Sequence, residues 1–122
     1  MNNIVWVFLG GGIGSLLRYG ISLISRHWMS PSFPFATLVA NIISCILLGI
    51  FIYLFQGKNN FETWLRPFVL IGICGGLSTF STFSFETVDL MRSGNLIYAL
   101  LNIFISLLMC FSVIYFFTQQ KT

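Results

Sequence analysis

The strongest constraint on this chain is the length of its uncharged apolar runs. Residues 35–55 and 96–117 contain no Asp, Glu, Lys or Arg. Each is long enough for a helix to cross a bilayer core, which takes about 20 residues. Residues 67–85 are also uncharged, though hydroxyl-rich, and residues 4–24 qualify apart from Arg18. Charged residues make up 7% of the chain and hydrophobic ones 57%, where a soluble domain carries about 25% charged. A solvated surface on all sides is excluded. The pattern predicts an all-α membrane protein, residues 1–122 forming one domain with four transmembrane helices. The stretches "SPSFP", "QGKNN" and "RSGN" punctuate the spans. Trp6, Trp28, Trp64, Tyr53 and Tyr115 fall near span ends, where amphipathic rings favour headgroups.

Other classes fall away on charge and motif. The net charge of +3 is scattered, so no basic patch exists to follow a nucleic-acid backbone. Cys45, Cys74 and Cys110 each stand alone in apolar sequence, which indicates neither a zinc site nor a disulfide framework and reads as packing. His27, the single histidine, reads as interfacial and leaves no catalytic constellation. "GGGIGSLL" has Ser15 where a dinucleotide fingerprint needs its third glycine. The N-terminus lacks a basic stretch and a small-residue cleavage site, so the first span is expected to stay in the mature protein.

Orientation is nearly unbiased. Four spans put Lys58, Arg66 and Lys121 on one side and Arg26 and Arg92 on the other, with Arg18 a possible third. Lys and Arg asymmetry normally sets orientation; its near absence predicts dual topology and an antiparallel dimer about a two-fold axis in the membrane plane. Small residues four apart, Gly10 and Gly14, then Ala36, Ala40 and Ser44, suit close helix approach.

Polar groups in the spans are costly and face protein or water. Gly75-Gly76 weakens the third span. It is either a mid-membrane break whose freed carbonyls suit a hard cation or a tight packing point. If "STFSTFS" is helical, Phe80 and Phe83 share one face, Thr79 and Thr82 a second, and Ser78, Ser81 and Ser84 a third. Aromatic rings have positive edges, so two of them among hydroxyls suit an anion without holding it as Arg or Lys would. Lipid- or core-facing rings and hydroxyls bonded to their own helix are the alternatives. Thr37 and Asn41 stand at i and i+4, where Asn41 suits interhelical hydrogen bonding, and Asn102, Ser106 and Cys110 form a weaker stripe. Donors outnumber carboxylates, which favours an anion as the moving species. Arg18 can reach an interface, anchor carbonyls or draw anions to a mouth. Asp89 and Arg92 form an i, i+3 pair, while Glu86 lies nearer the membrane interior.

"GGIGSLLRY", "TLVANIISCILLG" and "GICGGLSTFSTFS" together resemble the signatures of the CrcB/Fluc fluoride channels, and the resemblance covers essentially the whole chain. It implies a dual-topology dimer in the bacterial plasma membrane that exports fluoride passively through two pores around a central Na+. It implies that Phe80 and Phe83 turn ring edges to fluoride, that Asn41 lines the pore with Ser81, Thr82 and Thr37 nearby, and that carbonyls of Gly75 and Ser78 from both subunits hold Na+. Arg18, Glu86 and Asn102 take vestibule or structural places. Ser78 stands where many members have threonine, and Ala36 where glycine is expected. The partner is a second copy or a paralogous subunit. The nearest rival, a small multidrug exporter, also has four spans but needs a carboxylate in the first, where this chain has Arg18. A purely structural membrane subunit would not need the donor-rich third span.

Overall fold

The computed structural model describes residues 3–28, 33–55 and 63–119. The "QGKNN" connection, the first three residues of "SPSFP", and Lys58 and Lys121 lie outside the described residues. Helix α1 covers Asn3–Trp28, α2 Phe35–Phe55, α4 Phe80–Arg92 and α5 Leu96–Gln119. Between α2 and α4, the wide-turned π segment Pro67–Cys74 runs into the short α3, Gly75–Leu77. Four stretches, Asn3–Trp28, Phe35–Phe55, Pro67–Arg92 and Leu96–Gln119, are long and apolar enough to cross a membrane. The shortest has 21 residues, which at about 1.5 Å each reach about 32 Å.

Large side chains point out and small or polar ones point in. Phe8, Leu16 and Ile97 are 77%, 71% and 73% exposed, which in hydrocarbon costs nothing. The buried set is Gly10, Gly14, Thr37, Ala40, Ser44, Gly72, Asn102 and Ser106 with a few larger residues such as Leu77. Lipid removes the hydrophobic drive to pack, so helices associate through close backbone approach and hydrogen bonds.

The closest approach joins α1 to the third span. A Cβ on Gly10 would land on the Phe68 carbonyl oxygen, one on Gly14 on the Ile73 carbonyl oxygen, and one on Gly76 would lie 2.5 Å from the Gly11 carbonyl oxygen. Register rises together along both, so these segments run parallel. Stacked Trp6 and Trp64, 4.6 Å between centroids with Phe68 beside them, tie their starting ends. Helix α2 crosses the third span antiparallel: Thr37 meets Glu86, Asn41 meets Thr79 and Ser44 meets Cys74. Gly94, at φ +89°, closes the turn into α5, with the Asn95 amide on the Leu90 carbonyl at 2.8 Å.

The expected break does not fall at the glycine pair: Gly76 is a packing point, and Gly75 faces open space. Gly75 is helical, at φ −66° and ψ −36°, and Gly76 abuts Gly11 and Ser15. Helical geometry lapses three residues later, at Ser78 (ψ 154°) and Thr79 (φ −152°, ψ 121°). The hydroxyl faces expected from period three are therefore cut: Ser78 and Thr79 lie outside α4, and only the residues from Phe80 onward share helical faces.

Gly14→Ala should lower thermal stability in detergent by about 1–3 kcal/mol, the usual cost of overpacking, because its Cβ meets backbone rather than a movable side chain. Gly12→Ala, with open space around it, should be neutral or stabilising by up to about 1 kcal/mol. Thermal unfolding of both variants checks the contrast.

Candidate functional site

The lapse at Ser78–Thr79 is held by side chains from two other helices. The Thr79 amide donates to Asn41 Oδ1 at 2.8 Å, and Asn41 Nδ2 returns a longer bond to the Thr79 carbonyl at 3.4 Å. Thr79 Oγ1 caps α4 by accepting from the Thr82 amide at 3.2 Å. Both amides are thereby diverted. In a continuous helix they would close turns on the Gly75 and Ser78 carbonyls. Just before the lapse, the Cys74 carbonyl keeps its helical donor, the Ser78 amide, at 3.0 Å and also accepts from Ser44 Oγ and Ser78 Oγ, each at 2.8 Å, while Gly76 accepts from Arg18 Nε at 3.2 Å. A guanidinium at a helix C-terminus also meets the negative end of its dipole.

Beside the lapse, α2, α4 and α5 border an open groove of about 220 Å³. Asn41, Ser78, Thr79, Phe80, Phe83 and Ser106 line it, with Cys45, Leu107 and Cys110 completing the wall. The Phe80 and Phe83 rings, one turn apart, have centroids 5.7 Å apart and are tilted by 42°. No Lys, Arg, Asp or Glu is among the lining residues. The lining hydroxyls spend their hydrogens within the protein, Ser78 on the Cys74 carbonyl, Thr79 on Thr82 Oγ1 and Ser106 on Asn102 Oδ1, which leaves the second Nδ2 hydrogen of Asn41 and the Phe80 and Phe83 rings as the uncharged groups able to meet a small anion.

The candidates from sequence divide between this groove and its supports. Asn41, Phe80, Phe83 and Ser78 come together there. Ser81 and Thr82 do not line it; both hydroxyls lie 3.2 Å from Thr79 Oγ1, inside the cap. Thr37 is buried beside Glu86, whose Oε1 has no hydrogen-bond partner among the described residues. Asn102, 1% exposed, donates to Thr87 Oγ1 at 2.9 Å, and Thr87 donates to the Phe83 carbonyl at 2.8 Å. Ser106 Oγ, on the groove, bonds back to Asn102 Oδ1 at 3.4 Å. Arg18 anchors the Gly76 carbonyl rather than reaching an interface. Gly75 has no neighbour near its missing Cβ and lies on the exterior of the single chain.

Sequence reasoning missed the part played by Thr79. Its place in "STFSTFS" suggested a helical residue, and the signal available was the N-cap preference of Thr before an apolar helical run. It also treated the cysteines as isolated, whereas Cys45 on α2 and Cys110 on α5 lie side by side on one groove.

Known proteins resemble this chain along nearly its whole length. A protein from Magnetococcus marinus is 43% identical over 107 residues, covering 88% of this chain and 87% of its own. One from Shewanella halifaxensis is 42% identical over 115 residues, covering 94% and 92%. One from Flavobacterium psychrophilum is 40% identical over 106 residues, covering 87% and 86%. Each is named a fluoride-specific ion channel, FluC. The family described as CrcB-like protein, Camphor Resistance, matches residues 5–117, a stretch that takes in the glycine seam, the Asn41 contact, the lapsed helix and the groove, and the chain belongs to that family.

Proposed function

We propose that this protein is a fluoride-selective channel through which fluoride leaves the bacterial cell passively, and that residues 1–122 form one subunit of an antiparallel dimer with two pores. Its function is permeation, not catalysis. The observation that carries this reading is the groove where Asn41, Phe80 and Phe83 converge without a charged residue. Fluoride is small, strongly hydrated and a strong acceptor, so its passage needs close donors in place of water. A full positive charge beside it would bind too tightly for release. Arg18, the cation within the apolar run of α1, is engaged at the Gly76 carbonyl. The names of the relatives support the identity of the ion.

Two features support the dimer. Phe80 is 77% exposed and Gly75 faces open space, so the lapsed segment lies at the edge of the single chain. Irregular backbone at membrane depth must be covered by protein or line water, and a second copy, or a paralogous subunit, meets that need. Ser81, exposed on the same face, would enter the pathway at this junction, with Thr82 behind it. The near-even spread of Lys and Arg over both sides allows the inverted orientation.

The same segment suits a central Na+. The Gly75 and Ser78 carbonyls lose their expected amide donors to Asn41 and Thr79, and such oxygens are ligands for a hard cation. Two copies would bring four of them to the axis. Bound there, the ion would supply positive charge that locks the two lapsed helices together. Thr37, on Glu86, and Asn102, beneath Phe83, hold α4 in place around that axis. A four-span exporter would need a carboxylate in α1, and Asn3–Trp28 has none.

Reconstituted liposomes loaded with fluoride should empty passively while chloride stays behind, read by ion-selective electrodes; retained fluoride would reject the channel. Phe80→Ile and Phe83→Ile should each suppress flux by at least about tenfold, about 1.4 kcal/mol at the barrier, without preventing dimer assembly. Asn41→Asp keeps the acceptor for the Thr79 amide but exchanges the donors for an acid, so thermal stability should change little while fluoride flux falls about tenfold or more, the effect of losing one or two charge-assisted hydrogen bonds. Replacing Na+ by a large organic cation throughout purification should abolish flux and loosen the dimer on a sizing column.

A further inference from the structure

The seam between α2 and α5 carries chemistry that passage of a halide does not use. Cys45 and Cys110 are free thiols, half-buried and side by side on α2 and α5. Both border the open groove, one turn beyond Asn41 on α2 and one turn beyond Ser106 on α5. Two sulfurs therefore share one wall of the groove. No group of three or more His, Cys, Asp or Glu lies together among the described residues, so tetrahedral zinc lacks its ligands. Cys74, the third thiol, is buried beside Ser44 and does not line the groove.

We propose that Cys45 and Cys110 form a two-coordinate site for a soft divalent d10 cation of the mercuric type, and that its occupancy closes the groove. Thiolate sulfur selects soft metals, and a linear S–metal–S unit needs no third ligand. Charge then chooses among soft ions. A divalent cation that displaces one proton from each thiol leaves a neutral bis-thiolate: two S–H bonds break, two S–Hg bonds form, no oxidation state changes, and both protons leave for groove water. A monovalent ion bound to both thiolates would leave net negative charge between two lipid-facing helices, which the bilayer penalises. The bound metal would pin α2 to α5 and fill the wall beside Asn41. Only the closure rests on the channel reading; the metal site does not.

The test uses the full chain and mercuric chloride. With one equivalent added to purified wild-type protein, intact mass should show one mercury replacing two protons, and N-ethylmaleimide should then label neither Cys45 nor Cys110. Protection of only one of these thiols, or a separate mercury on each, would overturn the site. Cys45→Ser and Cys110→Ser should each surrender mercury to at least about tenfold less competing monothiol, because the second sulfur no longer acts at high effective concentration, while Cys74→Ser should match wild type. Retention by both single variants equal to wild type would likewise overturn it. In fluoride-loaded liposomes, one equivalent should stop release by wild type, a dithiol should restore it, and the double Cys45→Ser, Cys110→Ser variant should keep its own untreated rate. Wild type that carries mercury by mass yet empties at its untreated rate would overturn the closure. Were untreated wild type to pass no fluoride, the channel reading would fail, and labelling and mass would still decide the metal site.

Discussion

The clasp between Asn41 and Thr79 is the interaction on which the rest of this structure depends. In hydrocarbon, an interrupted helix releases amides and carbonyls that water cannot satisfy, at several kcal/mol each. Here Asn41 takes the Thr79 amide, Thr79 takes the Thr82 amide, Arg18 takes the Gly76 carbonyl, and Ser44 shares the Cys74 carbonyl. The supporting groups come from α1, α2 and the interrupted span itself. The lapse therefore exists only once the bundle has formed, since no isolated segment holds all of its partners.

Close helix approach makes those partners reachable. Side chains as short as those of Ser44 and Asn41 bridge from α2 to backbone only if the helices nearly touch, and glycine along α1 and the third span brings those two segments equally close. Large residues are displaced to the lipid side, where they lose nothing because the solvent is itself apolar. The inside is consequently rich in small and polar groups. A charged residue that enters it, Arg18, does so with a carbonyl partner.

The groove inherits its character from the same arrangement. Beginning α4 anew at Phe80 sets the Phe80 and Phe83 rings on one face above a capped helix start, and the buried Asn102–Thr87 pair fastens the Phe83 carbonyl from behind. Its lining is mainly apolar with a few uncharged polar groups, which favours weak, replaceable contacts with a small ion. The same wall carries a thiol pair whose preferred ligands are soft and firmly held, so two unlike chemistries share one face of the bundle.

Much of this was legible in the residues. Four apolar runs of spanning length, three of them uncharged, glycines and small residues at four-residue spacing, and three family-like motifs determined the four apolar helices and the family, because burial in lipid and one-turn periodicity are local properties of the chain. The pairing of Phe80 with Phe83 was legible for the same reason. Other features depended on groups distant in sequence: that the helix lapses at Ser78 and Thr79 rather than at the glycines, that Asn41 serves backbone as well as groove, that Thr37 turns to Glu86, and that Cys45 meets Cys110. A glycine pair weakens a helix equally wherever it occurs, and only a neighbour able to accept the orphaned amide decides where the turn gives way. That neighbour is supplied by tertiary packing.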